Sequence, residues 1–431
     1  MKLVNGNTLQ LDKILGRKTI VREEIALQVA EIIAQVQEDG DEAICRLNAR
    51  FDGCVLTPEQ LLVSREEIDA AYGSVDEDFL AAIRKAHENI SAFHRRQQQN
   101  SWFHTGNGGT ILGQMVRPLK RVGIYVPGGK APYPSSVLMN GIPARIAGVR
   151  EIAMVTPPDT NGRINPHILV AAEEVGVTEI YKIGGAQGIA ALAYGTKTLP
   201  QVDKITGPGN IYVTAAKQQV YGVVDIDMLA GPSEILIIAD ASADPEYVAA
   251  DLLSQAEHDE MSAAILLTPS AALAKRVQSS VAAQTARLSR QKIINNCLEN
   301  YGAIVITEDL EQAFSLANRI APEHLELMIE EPFSWLDRVE NAGAVFMGHF
   351  SPETVGDYLA GTNHVLPTSG TARFYSAIGV DTFIKKTSVI YYTSTGLHEV
   401  KKHLIKLAEV EGFTAHAAAV HVRTEESTSG R

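Results

Sequence analysis

Short apolar runs alternate with stretches of helical periodicity along most of this chain, and this alternation limits its possible folds more than any other feature. A first series starts at Arg121 and a second at Glu234. The expected strands are VGIYV, EIAMV, EIYKI and KIT in the first series and EILIIAD, AAILLT, AIVIT, LELMI and GAVFM in the second. Parallel neighbours need a helix-sized crossover, which the intervening stretches supply. The pattern predicts an α/β fold of two tandem Rossmann-like parallel-sheet units.

Helical patterns flank these two units. Apolar spacing is mostly helical over residues 22–98, where Asp76 is a candidate N-cap. Residues 351–371 are rich in Gly, Thr and Pro, which predicts a long functional loop. Helical spacing returns over residues 397–410 and 415–420. We therefore expect a helical N-terminal segment and a small helical C-terminal segment.

Charge and cysteine content exclude several classes of function. The formal net charge is −13 and the basic residues are scattered, which argues against nucleic acid as a partner. The three cysteines have no CxxC spacing, so neither a disulfide framework nor a thiolate zinc site is expected. No apolar run approaches bilayer length, and the N-terminus lacks a signal-peptide pattern. We expect a soluble, cytoplasmic protein with no membrane partner.

Four segments carry side chains of the types that can bind zinc or transfer protons. Gln255 and His258 are three residues apart near the end of an expected helix and share one face. The other three segments each offer a carboxylate and a histidine: Glu323 with His324, Asp357 with His364, and Glu411 with His416. Each segment also has a plain alternative, either a histidine near a helix dipole or charged groups in a solvated turn. Several Gly-rich turns could admit a nucleotide, but the GxGxxG fingerprint is absent.

Eight ordered segments together resemble the histidinol dehydrogenase family. They lie between about Val122 and Val420 and read IYVPGG, GGAQGIAAL, TGPGN, AGPSEI, SQAEHD, APEHLE, GDYLAGTNHVLPT and EGFTAHAAAV. The resemblance implies a zinc-dependent, NAD-linked enzyme of histidine biosynthesis. Such an enzyme oxidises L-histidinol through L-histidinal to L-histidine, the last step of that pathway.

The resemblance also implies roles for individual residues. The implied ligands of one zinc ion per subunit are Gln255, His258, Asp357 and His416. In the implied acid/base pair, His324 moves protons and Glu323 activates water. The implied NAD contacts are Tyr125, Gln187 and Asn210. The implied substrate contacts are Ser233, Gln255, His258, His324, Asp357, His364, Glu411 and His416.

An intertwined homodimer is a further implication, in which Glu411 and His416 complete the site of the neighbouring subunit. The expected domains are an N-terminal arm (1–24), an α/β domain with the zinc and catalytic residues (25–121 and 235–375), an NAD-binding α/β domain (122–234) and a C-terminal helical segment (376–431).

Two other functions stay open from the residues alone. A zinc hydrolase acting on a small nitrogenous substrate would use metal-bound water as its nucleophile. Such an enzyme has no reason to carry Tyr125, Gln187 and Asn210 in Gly-rich α/β turns. A binding or scaffold protein with structural zinc would favour closely spaced cysteines, which this chain lacks.

Overall fold

A computed structural model describes residues 1–5, 23–128 and 132–424. Most of the expected N-terminal arm, Gly129 of the IYVPGG segment and the last residues of the expected C-terminal segment lie outside these ranges. The described residues form two compact units, one made of Met1–Gln97 and Leu119–Phe383 and the other of Gln98–Pro118 and Ile384–Arg431.

The strands in chain order are β1 (Lys2–Asn5), β2 (Trp102–Thr105), β3 (Ile111–Pro118), β4 (Arg121–Tyr125), β5 (Glu151–Thr156), β6 (Glu179–Lys182), β7 (Lys204–Thr206), β8 (Asp225–Ile226), β9 (Glu234–Ala239), β10 (Ala263–Thr268), β11 (Gly302–Ile306), β12 (His324–Met328), β13 (Ala344–Met347) and β14 (Ile384–Tyr391). The α-helices are α1 (Glu23–Asp39), α2 (Asp41–Phe51), α3 (Arg65–Tyr72), α4 (Glu77–His94), α5 (Pro134–Ala147), α6 (Pro166–Val175), α7 (Gly185–Tyr194), α8 (Ile211–Val220), α9 (Pro245–Ala256), α10 (Ala271–Thr285), α11 (Gln291–Tyr301), α12 (Leu310–Ile320), α13 (Glu353–Tyr358), α14 (Ser394–Val410) and α15 (Thr414–Thr424).

The first unit contains two parallel sheets, as the alternating pattern predicts. The five-stranded sheet has the order β6-β5-β4-β7-β8, and the six-stranded sheet has the order β1-β11-β10-β9-β12-β13. Every residue of β9 and of β10 is buried, which explains why these strands are continuous apolar runs rather than alternating ones. The expectation of tandem Rossmann-like units is confirmed.

Hydrophobic side chains cover both faces of the five-stranded sheet. Ile124 and Met154 belong to one cluster of buried residues, whereas Tyr125 and Val155, their neighbours along the strands, belong to another. This alternation follows from the two-residue period of a strand. The N-terminal helices contribute to the same clusters, since buried residues of α1 and α2 lie in the second and those of α4 in the first. The division into domains drawn from the sequence stays a prediction.

Helix boundaries follow local capping signals closely. Asn165, Asn210 and Asp309 cap the starts of α6, α8 and α12, where each side chain accepts a hydrogen bond from a first-turn amide. At the start of α4, the Asp76 carboxylate accepts a hydrogen bond of 2.7 Å from the Phe79 amide, so the predicted N-cap is confirmed. No helix among the described residues is both long enough and apolar enough to cross a bilayer.

Two expectations need correction. Residues 351–371 are not a structureless loop, because α13 lies within them. This helix has six residues, which is too short for apolar periodicity to reveal it. The second unit combines α14 and α15 with an antiparallel sheet in the order β14-β3-β2, which the sequence analysis missed. Most residues of β14 are exposed, so this strand lacks the apolar signal of the parallel sheets.

Candidate metal and catalytic site

Polar side chains meet where β9 and β12 begin. These two strands pair in parallel, with His324 opposite Ile235. Helix α9 follows β9 and returns toward the edge where the next parallel strand starts, so Gln255 and His258 come from its carboxyl end. The site therefore lies at the amino edge of the six-stranded sheet, opposite to the usual catalytic edge of an open parallel sheet.

Three side chains form a cluster suited to a metal ion. One ligand atom each from His258, Glu353 and Asp357 lies within 4.8 Å of the other two. Imidazole nitrogen and carboxylate oxygen are zinc donors, so these residue types fit the implied ion. The sequence analysis nominated His258 and Asp357 but missed Glu353. The signal was its position four residues before Asp357, which places both on one face of α13.

Gln255 joins the cluster through Glu353. Its side chain is fully buried at 0% exposure. With its amide oriented to satisfy its surroundings, the nitrogen donates to the two carboxylate oxygens of Glu353 over 2.8 and 3.2 Å. The Ser254 hydroxyl donates to the same carboxylate over 2.8 Å. These contacts fix one orientation of the Gln255 amide, with its oxygen directed away from Glu353.

His324 is held as a neutral imidazole with one basic nitrogen. Its Nδ1 lies 3.0 Å from the carbonyl oxygen of Glu234, which can only accept, so Nδ1 carries the proton. Among the described residues, its Nε2 is buried without a hydrogen-bond partner and lies 4.0 Å from Glu353 Oε1. Burial lowers the pKa of His324, which favours the neutral form. A buried, unpaired imidazole nitrogen is suited to accept a proton from a substrate.

Glu323 lies beside this histidine. Its Oε2 accepts a hydrogen bond of 2.9 Å from the Glu234 amide and is 3.7 Å from His324 Nδ1. Burial raises the pKa of Glu323 well above the usual carboxyl range. The pair is thus a buried carboxyl group next to a buried neutral imidazole.

Two further carboxyl groups extend the site inward, and the sequence analysis nominated neither of them. Glu326 accepts a hydrogen bond of 2.9 Å from the Glu353 amide and shares a side-chain hydrogen bond with Asp251. Burial raises the pKa of Glu326 well above its usual range, that of Asp251 to about 6 and that of Glu353 to about 8. The available signal was a charged residue in the middle of the apolar run LELMI.

The predicted substrate contact His364 lies near the same cluster. Its Nδ1 is 3.0 Å from the carbonyl oxygen of Asp357, and its Nε2 is 3.5 Å from the Ser136 hydroxyl. Burial lowers its pKa. Ser233, also predicted to contact the substrate, directly precedes β9 and is half-buried. Both roles stay predictions.

The predicted NAD contacts lie at the carboxyl edge of the five-stranded sheet. Tyr125 ends β4 and its hydroxyl accepts a hydrogen bond of 3.1 Å from the Gly185 amide. Gln187, in the first turn of α7, donates to Asn48 over 3.4 Å. Asn210 caps α8 by accepting from the amides of Tyr212 and Val213 at 3.0 and 3.1 Å. The strand order reverses between β4 and β7, and such switch points are the usual ligand crevice of open α/β sheets.

The remaining predicted residues belong to the second unit. Glu411 follows α14, and His416 lies in α15 with its ring 5.0 Å from that of Phe413. Both residues are exposed. Their roles as a substrate contact and a zinc ligand stay predictions.

Comparison with known proteins gives a consistent result along the whole chain. The family model described as histidinol dehydrogenase matches residues 15–424. The chain is 55% identical to a histidinol dehydrogenase of Syntrophotalea carbinolica over 97% of this chain and 96% of that protein. It is also 55% identical to one of Carboxydothermus hydrogenoformans, over 98% and 99% of the two chains. A crystal structure of histidinol dehydrogenase from Elizabethkingia anophelis is similar with a TM-score of 0.95 at 41% identity, covering 100% of this chain and 99% of that one.

Proposed function

The chain belongs to the histidinol dehydrogenase family and is an oxidoreductase of histidine biosynthesis, and on this premise we propose a zinc- and NAD-dependent oxidation of L-histidinol to L-histidine. The proposal rests above all on the convergence of His258, Glu353 and Asp357 beside the unpaired Nε2 of His324. A metal-binding group next to a buried base is what the oxidation of a chelating amino alcohol requires.

The zinc ligands that we propose are Gln255, His258, Asp357 and His416, with one ion per subunit. Zinc held there would be chelated by the imidazole and amino nitrogens of the substrate, which would orient the reacting carbon. The Gln255 amide oxygen, the His258 imidazole and the Asp357 carboxylate are the donors of the first unit. Exposure of His258 and half-burial of Asp357 leave this side of the cluster accessible to a small molecule.

Proton transfer is assigned to the buried pair. His324 Nε2 takes the proton of the substrate alcohol while hydride leaves the same carbon, which yields the aldehyde. Water then adds to the aldehyde: Glu323 takes a proton from the water, and His324 returns its proton to the carbonyl oxygen, which gives the hydrate. Glu323 releases its proton to solvent, and His324 takes a proton from the hydrate as the second hydride leaves. Two NAD molecules, bound one after the other, would each accept one hydride. We assign its contacts to Tyr125, Gln187 and Asn210, and the substrate contacts beyond the zinc ligands and His324 to Ser233, His364 and Glu411.

A homodimer in the cytoplasm is the setting that we propose. The second unit exposes many large apolar side chains, which is typical of a surface covered by another protein. They include Trp102, Phe103, Leu112, Ile390, Tyr391, Leu407, Val410, Phe413 and Val422. The three cysteines are free thiols, as is usual in a reducing compartment.

The direct test gives zinc-loaded protein L-histidinol and NAD and follows the absorbance of the reduced cofactor. We expect two reduced cofactors for each histidine formed. Folded, zinc-loaded protein that reduces no NAD would contradict the proposal and favour the zinc hydrolase.

Two variants separate the proposed roles. We expect His258→Ala to lose both bound zinc and activity, because it removes a ligand. His324→Ala should keep its zinc while its turnover falls by about 10²–10⁴-fold, the usual contribution of a general base. Zinc content that is unchanged in His258→Ala would show that the ligand assignment is wrong.

A further inference from the structure

Glu353 occupies the centre of the site but has no role in the oxidation described above. Its side chain is only 1% exposed. Its carboxylate accepts from the Ser254 hydroxyl and from the Gln255 amide, while its backbone amide donates to Glu326. Two hydrogen-bond donors therefore hold the carboxylate. It contacts one proposed zinc ligand, Gln255, and lies near two others, His258 and Asp357.

Gln255 presents a problem that a histidine or carboxylate ligand does not. An amide has one oxygen, which can bind a cation, and one nitrogen, which carries two hydrogens and cannot. The two orientations have nearly the same shape, so packing alone does not select the productive one. A carboxylate placed against one end selects it, since an ionised carboxylate only accepts hydrogen bonds. Burial alone favours the protonated form of Glu353, but a cation bound beside it lowers the pKa of the carboxyl group and favours the ionised form.

The distances show that Glu353 is placed in this way. The nitrogen of Gln255 reaches both carboxylate oxygens, at 2.8 and 3.2 Å, so the orientation is specified by two contacts rather than one. The Ser254 hydroxyl, 2.8 Å from the second oxygen, holds the carboxylate in turn. Groups that hold a metal ligand by hydrogen bonds orient it and raise its affinity for the ion.

We propose that Glu353 is a positioning residue of the zinc site, which acts through Gln255 by holding its amide nitrogen and so presenting its oxygen to the metal. This inference rests on the proposed zinc site. The competing role is that of a direct ligand, because a Glu353 oxygen also lies within 4.8 Å of the donor atoms of His258 and Asp357.

The first measurement is zinc affinity by competition with a chelator, using the full chain. We expect Glu353→Gln to bind zinc about 10–100 times more weakly, the usual effect of losing such a supporting group. The reason is that an amide at position 353 can present either its oxygen or its nitrogen to Gln255. Glu260→Gln is the matched control, since Glu260 is exposed and two residues after His258, and it should retain the parent affinity. Circular dichroism and thermal unfolding verify that each variant is folded.

A double-mutant cycle distinguishes the two roles. If Glu353 acts through Gln255, then Glu353→Gln costs little further affinity in a chain that already carries Gln255→Ala. Losses that add in full show that Glu353 contacts the metal on its own and overturn the inference.

Exchanging the two side chains tests the role of Glu353 independently. This test does not require that the Gln255→Ala variant bind zinc measurably. In the variant Gln255→Glu with Glu353→Gln, the amide donates from position 353 and the carboxylate at 255 keeps an oxygen for the metal. We expect this pair to recover most of the affinity that Glu353→Gln alone loses, and failure to recover it contradicts the inference. Absence of zinc binding in the parent chain would contradict the proposed function itself. That outcome is distinct from the variant results that would contradict only the role of Glu353.

Discussion

His324 obtains its proposed role from three features of its surroundings rather than from its residue type. The Glu234 carbonyl fixes the proton on Nδ1, burial favours the neutral ring, and no described residue pairs with Nε2. The same burial raises the pKa of Glu323, one residue earlier, so its ionised form is a stronger base than an exposed carboxylate. The two neighbouring groups thus have different proton affinities, which is what separate roles as base and water activator require.

Glu323→Gln tests this division of roles. The amide cannot activate water, but His324 can still take the alcohol proton. We therefore expect the first oxidation to continue while the second nearly stops, so that the reduced cofactor formed per histidinol falls from two toward about one. Absorbance and chromatographic detection of the aldehyde measure both quantities. Glu330→Gln, which changes an exposed carboxylate, is the control. If Glu323→Gln still forms two reduced cofactors per histidinol, Glu323 has no role in the second oxidation.

At the scale of elements, a buried ion pair holds the turn between β7 and α8. Lys217 of α8 pairs with Asp227, and both side chains are at most 2% exposed. Both residues also form hydrogen bonds with the backbone of Gly207. Asp227 accepts from its amide over 2.8 Å, and Lys217 donates to its carbonyl oxygen over 3.1 Å. Gly207 has a φ of +110°, and a Cβ there would lie 2.1 Å from the Tyr125 carbonyl oxygen. This turn leads to Asn210, so the ion pair supports the proposed NAD edge.

Asp227→Asn should destabilise the chain by about 3–5 kcal/mol, because it leaves the buried Lys217 charge without its partner. The free energy of unfolding in urea is the measurement. Glu88→Gln breaks the ion pair between Lys85 and Glu88, whose side chains are 58% and 70% exposed, and should leave the free energy of unfolding almost unchanged. Similar losses in the two variants would show that burial does not govern the strength of these pairs.

At the scale of the whole molecule, the buried carboxyl groups couple stability to pH. Burial raises the folded-state pKa of Asp251, Glu326 and Glu353 above the unfolded values, so between those values the folded chain binds more protons than the unfolded chain. Stability is then present at low pH and is lost as pH rises through the folded-state pKa values of about 6 and about 8.

Zinc-free protein should therefore unfold at a lower urea concentration at about pH 8 than at about pH 5. In Glu326→Gln this decline should be smaller, because the amide can still donate to Asp251 but does not ionise. If stability falls equally with pH in the parent and in Glu326→Gln, the ionisation of Glu326 does not contribute to this fall. Glu330→Gln again serves as the exposed control.

The proposed dimer makes a prediction about mixed subunits. If His416 completes the neighbouring site, His324→Ala and His416→Ala are each inactive alone, but a heterodimer contains one intact site. Unfolding and refolding an equal mixture should then restore about a quarter of the parent activity, since half of the random dimers are mixed. No restored activity, with dimers present by light scattering, would mean that His416 does not act in the neighbouring subunit.

The sequence by itself determined the two parallel sheets, the helices between their strands and the start of α4. These features depend on local periodicity and capping, which are properties of neighbouring residues. Asp76 and the strands β9 and β10 were predictable in this way. Residue types in short segments nominated His258, Asp357 and His324 as candidate site residues, and the family resemblance implied their individual roles.

Tertiary structure alone decided which further carboxyl groups lie beside His258, Asp357 and His324. Glu353 lies on a helix too short to produce a periodic signal, and Glu326 lies between the apolar residues Leu325 and Leu327 of a buried strand. Their burial, their hydrogen bonds and the neutral state of His324 depend on α9, β12 and α13 coming together. Contacts between segments about a hundred residues apart, such as that of Ser254 with Glu353, are set by packing of the whole core and leave no local pattern in the sequence.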